Sequence, residues 1–121
     1  MEIVVVVTPA MVLTDADWSD QRRECIEDCF DATQACEWCV DECCTEGDMA
    51  DCTRLCRDAA DMTTLCARLC ARESGYAADI AETCAAVCEE CADVCEQYDM
   101  EICQTCAEVC RRCADSCRSM A

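Results

Sequence analysis

Along most of this chain, hydrophobic and polar residues recur with the period of an α-helix. From about residue 14 onward, small or apolar residues recur at intervals of three, four or seven, and charged residues fill the positions between them. This is the spacing of one face of a helix, whereas a half-buried strand would show strict alternation. Phase breaks and turn-forming residues divide the pattern into four segments. The prediction is an all-α fold, an antiparallel four-helix bundle.

The first helix is expected to follow a short extension. Residues 1–13 contain an apolar run without a basic segment or a clear cleavage site, and the run is too short to span a membrane. They are predicted to form an N-terminal extension to a bundle domain at 14–121. Thr14 or Asp15 is the expected N-cap, and the helix should run to about Glu46, with Gly47 as its C-terminal cap.

The other three helices are placed by the same kind of signal. Asp48 is the expected N-cap of the second helix, which should end near Arg72. The turn at 74–75 precedes a third helix over about 76–97. The helical phase then slips by one residue, which predicts a tight turn at 97–99 with Asp99 as the N-cap of the fourth helix.

The unusual feature is the residue type on the inward face. The chain has 19 cysteines, and all but Cys44 fall on one helical register, which we call the thiol stripe. Where the stripe lacks cysteine it holds small residues: Ala32, Ala59, Thr63, Ala77 and Ala81. The predicted core is therefore lined with cysteine. The stripe cysteines are Cys25, Cys29, Cys36, Cys39, Cys43, Cys52, Cys56, Cys66, Cys70, Cys84, Cys88, Cys91, Cys95, Cys103, Cys106, Cys110, Cys113 and Cys117.

A second row of apolar residues flanks the stripe and is expected to supply packing between helices. Apolar residues on two flanks of a helix can also bury one flank against another subunit, so a homo-oligomer is expected. The flanking residues are Ile26, Val40, Leu55, Met62, Leu69, Val87, Val94, Ile102 and Val109.

Charge and composition exclude several classes of function. The net charge is -18, with no His and no Lys, so nucleic acid and anionic membranes should repel the chain. No activated nucleophile or acid–base pair can be assembled, so no enzyme is expected. Without an export signal the chain is predicted to be cytoplasmic, where thiols stay reduced.

The spacing of the cysteines favours metal over disulfide bonds within a helix. Eight pairs have the form C-x-x-x-C, and residues four apart on a helix have Cβ atoms roughly 5–6 Å apart. A disulfide requires roughly 3.5–4.5 Å. Two such sulfurs can instead hold one ion between them.

Charge favours Cu(I) among the metals that bind thiolates. A zinc ion with four thiolates keeps a net charge of minus two, and several such sites would be costly to bury. One Cu(I) per thiolate is neutral, and bridging thiolates would give each ion two or three sulfurs, so we expect close to one copper per stripe cysteine. The alternatives are a zinc or general heavy-metal buffer of the metallothionein kind, a thiol redox protein, and an iron–sulfur protein.

The repeated motif Cys84-x-x-x-Cys88-x-x-Cys91-x-x-x-Cys95, with its counterparts on the other helices, resembles the four-helix-bundle copper storage proteins. The resemblance covers roughly residues 17–119. It implies an antiparallel bundle whose inward thiols store many Cu(I) ions and protect the cell from copper. It also implies the cytosolic branch of the family, whose members form tetramers.

Topology predicts where copper would enter. In an antiparallel bundle the first and third turns share one end, and Cys44, Met49 and Met100 lie there as possible access ligands, beside stripe cysteines. The opposite end should be closed by an apolar plug of Trp18, Ala77, Ala81 and Met120.

Overall fold

The computed structural model describes residues 19–43 and 47–120, and within them the chain forms four α-helices. Helix α1 spans Asp20–Cys43, α2 spans Ala50–Ala71, α3 spans Ala77–Cys95 and α4 spans Glu101–Met120. The predicted all-α fold is confirmed. The proposed extension at residues 1–13 lies outside the described residues.

The helices form a square bundle in which each one packs on two neighbours. Helix α1 contacts α2 and α4, and α3 contacts the same two helices from the other side. Neighbours run antiparallel: the sulfur of Cys25, early in α1, lies 3.8 Å from that of Cys117, late in α4. At the other end, the sulfurs of Cys43 and Cys103 lie 3.5 Å apart. The four inward faces therefore meet along one axis.

The start of α1 differs from the prediction. The helix begins at Asp20, and the Ser19 hydroxyl accepts a hydrogen bond of 3.1 Å from the backbone N–H of Arg22. Ser19 is thus the N-cap, and the expectation of a start at Thr14 or Asp15 is wrong for this helix. Those two residues, and the predicted helix end at Glu46, lie outside the described part of the chain.

Asp48 and Asp99 are not the N-caps that the sequence predicted. Helix α2 has Met49 at its N-cap position without a side-chain capping bond, and α4 begins only at Glu101. The turns that precede these helices are held differently. The Tyr98 hydroxyl donates to the carbonyl of Asp48 at 3.3 Å, and the Gln104 amide donates to the carbonyl of Tyr98 at 2.6 Å. The predicted turn near 97–99 is present.

The end of α2 is closed by a residue that the sequence did not point to. Glu73 has φ of 51°, and the backbone N–H of Ser74 donates to the carbonyl of Leu69 at 3.0 Å. This is the geometry of a Schellman cap, in which glycine usually holds the left-handed position. Both glycines of the chain have negative φ, so the expectation that Gly47 acts as a left-handed C-cap is wrong.

The thiol stripe forms the core of the bundle. The small residues that interrupt it are buried as well, with Ala32, Ala59, Thr63 and Ala81 each 0% exposed. Most flanking apolar residues, such as Val87 and Val94, are half-buried at the interfaces between helices. Among the described residues, no helix is long and apolar enough to cross a membrane.

Candidate metal centre

All stripe cysteines point into the bundle. None is more than 1% exposed, and none forms a disulfide bond with another described residue. Met49 is also buried, at 5% exposed, while Met100 is half-buried. Cys44, the third predicted access ligand, lies outside the described residues.

The sulfur atoms are spaced for shared metal ions. Neighbouring Sγ atoms lie 3.5 Å apart between Cys36 and Cys110 and 3.6 Å apart between Cys39 and Cys43. A disulfide bond is roughly 2.05 Å long. Two thiolates that bind one metal ion at about 2.3 Å lie roughly 3.8 Å apart in a tetrahedral site. The separations therefore match sulfurs that ligate a common ion.

Among the described residues, five groups of four thiols have all their sulfurs within 4.8 Å of one another. The groups overlap: the first two share Cys29 and Cys117, the next two share Cys56 and Cys106, and the last two share Cys39. The groups are Cys25, Cys29, Cys66, Cys117; Cys29, Cys84, Cys113, Cys117; Cys36, Cys56, Cys91, Cys106; Cys39, Cys56, Cys95, Cys106; and Cys39, Cys43, Cys52, Cys103.

This overlap limits how many isolated four-thiolate sites can form. One group can be chosen from the first two, and two from the other three, so at most three groups share no sulfur. Zinc sites that each require four unshared thiolates would leave many stripe cysteines without a metal ion. Ions that accept bridging thiolates, such as Cu(I), can use them all.

Burial and mutual contact determine the protonation of the thiols. Burial, followed by the neighbouring Cys43, raises the pKa of Cys103 to about 12. The pKa of Cys106 is lowered, because Cys110 and Cys36 direct hydrogen bonds toward its sulfur. Most stripe thiols have a raised pKa, as Cys43 does through burial, so they are protonated at neutral pH. Metal binding must therefore release their protons.

The end of the bundle opposite the methionines is closed by a buried arginine. Arg22 is 7% exposed, and its guanidinium donates to the carbonyls of Cys70 at 2.7 Å and Ala71 at 2.6 Å. It also pairs with the Glu73 carboxylate at 2.8 Å. The predicted apolar plug is therefore incomplete: Ala77 and Ala81 are buried there, Met120 is half-buried, and Trp18 is outside the described residues.

The sequence itself indicates that Arg22 is buried. Arg22 precedes Cys25 by three residues and so lies on the register of the thiol stripe. A cation on an inward position needs buried acceptors, and the unpaired carbonyls at the end of α2 supply them.

The methionine end is more open. Cys43 lines a surface cavity of about 540 Å³ together with Gly47, Ala50 and Thr53. Met100 lines a neighbouring surface cavity on the α1–α4 side. The cavity reaches the residues around Cys43, although the Cys43 side chain itself is 0% exposed.

Comparisons with known proteins agree with this geometry. The family model described as "Copper storage protein" matches residues 18–121. An uncharacterized cysteine-rich protein of Bacillus subtilis, YhjQ, is 38% identical over 100 residues, which are 80% of this chain and 93% of that protein.

Two solved structures are similar throughout the bundle. The Cu(I)-bound copper storage protein BsCsp3 superposes with a TM-score of 0.80 at 36% identity, over 84% of this chain and 99% of that one. A cytosolic copper storage protein from Streptomyces lividans, in a structure of copper loading with five coppers, gives a TM-score of 0.79 at 34% identity, over 84% and 92% of the two chains.

Proposed function

This chain belongs to the copper storage protein family, and we propose that it stores many Cu(I) ions inside its bundle on the thiolates of the eighteen stripe cysteines. Storage of this kind keeps a reactive metal away from other thiols and so protects the cell from copper. The relatives support this, since one was solved with Cu(I) bound and another with several coppers.

The observation that carries the proposal is the sharing of sulfurs between four-thiol groups along the axis. Each thiolate can bridge two Cu(I) ions, so the number of ions approaches the number of thiolates and the charge of the filled core stays near zero. A bundle that opened to water, or whose sulfurs were isolated in pairs, would not allow this.

Titration of the reduced protein with Cu(I) against a competing chelator tests the proposal. We expect tight uptake of about eighteen equivalents, because soft thiolates prefer Cu(I) and bridge it. Titration with zinc is the matched control, and it should stop near three tight ions, the number of separate four-thiol groups. Tight zinc uptake with weak copper uptake would instead support a heavy-metal buffer.

The absence of enzymatic activity and the cellular location also belong to this proposal. The stripe thiols are buried, and most of them have another thiol as a hydrogen-bond partner, which suits storage rather than turnover of a substrate. A cytoplasmic location follows from the need for reduced thiols and from the relative described as cytosolic.

We propose that the chain forms a homo-oligomer, a tetramer by resemblance to the family. Leu65 is 40% exposed, and with Met62 and Val87 it forms the apolar part of a groove on the α2–α3 side that Asp58 and Asp61 also line. A second copy of the chain is the expected occupant, and sedimentation of the apo protein should give about four times the 13.4 kDa chain mass. A monomeric mass at micromolar concentration would contradict this.

A further inference from the structure

The four-thiol groups fall into two sets that share no sulfur. One lies toward the methionines and is called the methionine-end set; the other lies toward Arg22 and is called the arginine-end set. Within each set the groups overlap, but among the described residues no thiol–thiol hydrogen bond joins one set to the other. The arginine-end set is Cys25, Cys29, Cys66, Cys84, Cys113 and Cys117; the methionine-end set is Cys36, Cys39, Cys43, Cys52, Cys56, Cys91, Cys95, Cys103 and Cys106.

Small residues on α1 and α2 separate the two sets. Ala32 lies between Cys29 and Cys36 on α1, while Ala59 and Thr63 lie between the cysteines of α2, and all three are 0% exposed. On this half of the bundle there is thus a level without sulfur.

The Thr63 oxygen does not replace a thiol at that level. Its hydroxyl lies 2.7 Å from the Thr33 hydroxyl and donates to the carbonyl of Ala59 at 2.7 Å. The Thr63 hydroxyl oxygen is therefore hydrogen-bonded at the α1–α2 interface and to its own helix. A hard, neutral hydroxyl is also a poor ligand for a soft ion.

On the other half of the bundle, sulfur continues through Cys88. It lies on the stripe of α3 between Cys84 of the arginine-end set and Cys91 of the methionine-end set, and it is 0% exposed. On helix α4, Cys110 holds the matching place between Cys106 of the methionine-end set and Cys113 of the arginine-end set. Cys110 in turn lies 3.5 Å from Cys36 of the methionine-end set.

Access from solvent differs between the two ends. The arginine end is closed by the buried Arg22 guanidinium, which is bonded to the carbonyls of Cys70 and Ala71 and to the Glu73 carboxylate. The methionine end has Cys43 beside a surface cavity. An ion that reaches the arginine-end set must therefore first pass the methionine-end set.

We propose that Cys88 is the bridging ligand through which Cu(I) passes from the methionine-end set to the arginine-end set. The inference rests on the proposed function and specifies the route of filling. Each step is ligand exchange without redox change: a bond from copper to the Cys110 sulfur breaks as a bond to the Cys88 thiolate forms. The proton of the Cys88 thiol moves to the sulfur that copper leaves.

The test follows which cysteines become protected as copper is added. Reduced full-length protein receives limiting Cu(I) from a chelator complex, and unbound thiols are then alkylated and located by mass spectrometry. In the wild type we expect the methionine-end set to be protected first and the arginine-end set soon after. In Cys88→Ala, protection of the arginine-end set should slow by about tenfold or more, with the methionine-end set filling at the wild-type rate.

Two further variants keep the result interpretable. Arg112→Ala changes an exposed residue of α4 that pairs with Glu108 and lies outside the thiol stripe, and it should leave both filling rates close to wild type. Thr63→Cys adds a sulfur at the level that has none on α2, and in the Cys88→Ala background it should restore fast filling of the arginine-end set.

Wild-type filling of the arginine-end set in Cys88→Ala would overturn this proposal, and so would protection of that set first in the wild type. Neither result would affect storage itself, because both sets would still bind copper. Failure of both sets to gain protection in the wild type would instead overturn the proposed function.

Discussion

At the scale of single residues, Arg22 shows how a charged side chain can close a core made of thiols. Its charge is buried, but the guanidinium is matched by two carbonyl oxygens and one carboxylate, so the cost of burial is offset. The carbonyls lie at the end of α2, where a cation is also favoured by the helix dipole. Arg22 thus joins α1 to α2 through two backbone carbonyls and a carboxylate.

Replacing Arg22 with alanine should destabilise the metal-free protein. Three hydrogen bonds are lost, and we expect the free energy of unfolding to fall by about 1–3 kcal/mol. Chemical denaturation followed by circular dichroism measures this. Arg54→Ala is the matched control, because Arg54 is exposed and pairs with the exposed Asp51 on the surface, and it should change stability by less than about 0.5 kcal/mol. Equal effects of the two variants would contradict the role given to Arg22.

At the scale of helices, the ends are determined by contacts that sequence patterns do not display. The period of the stripe predicted the four helices and their inward faces. It did not predict Ser19 as a cap, since Thr14 and Asp15 are equally good capping residues. It did not predict the left-handed Glu73, because Gly75 two residues later is the usual choice for that conformation.

The backbone at Glu73 can be tested by comparing two substitutions. Glu73→Gly and Glu73→Ala both remove the ion pair with Arg22, but only glycine tolerates a φ of 51° without cost. The glycine variant should be more stable than the alanine variant by about 1 kcal/mol. At position 75 alanine should instead be more stable than glycine. Gly75→Ala should raise the free energy of unfolding by about 0.4–1 kcal/mol, because the φ of Gly75 is not positive and nothing lies within 4 Å of an added Cβ. Thermal denaturation of the three variants distinguishes these cases.

At the scale of the whole molecule, the metal-free protein encloses protonated thiols and little apolar volume. The sequence predicted which cysteines face inward, because that depends only on spacing along each helix. It did not predict the division at Ala32, Ala59 and Thr63, because distances between sulfurs of different helices depend on how the helices are offset and rotated. For the same reason the sequence did not predict that Cys88 lies between the two sets.

The stability of the metal-free protein should fall at alkaline pH. Cys103 has a pKa of about 12 in the fold against an ordinary value near 9.0, and burial raises the pKa of Cys43 as well. A raised pKa means that folding favours the protonated thiol. Its contribution to stability is fully present below about pH 9 and is lost as pH rises toward 12. Stripe thiols with a raised pKa outnumber those with a lowered one. The denaturant concentration at the midpoint of unfolding should therefore be lower at pH 10 than at pH 8.

Copper loading provides the control for this pH dependence. Thiolates bound to Cu(I) have already lost their protons, so the loaded protein should show little change in midpoint over the same range. A metal-free protein that is equally stable at pH 8 and pH 10 would contradict the assignment of protonated, buried thiols.

Anomalous diffraction from crystals of the copper-loaded protein tests the central claim most directly. We predict copper peaks along the bundle axis, each within about 2.3 Å of two or three stripe sulfurs, and on both sides of the level of Thr63. Copper bound mainly to surface carboxylates, or an empty axis with the sulfurs joined as cystines, would contradict the account.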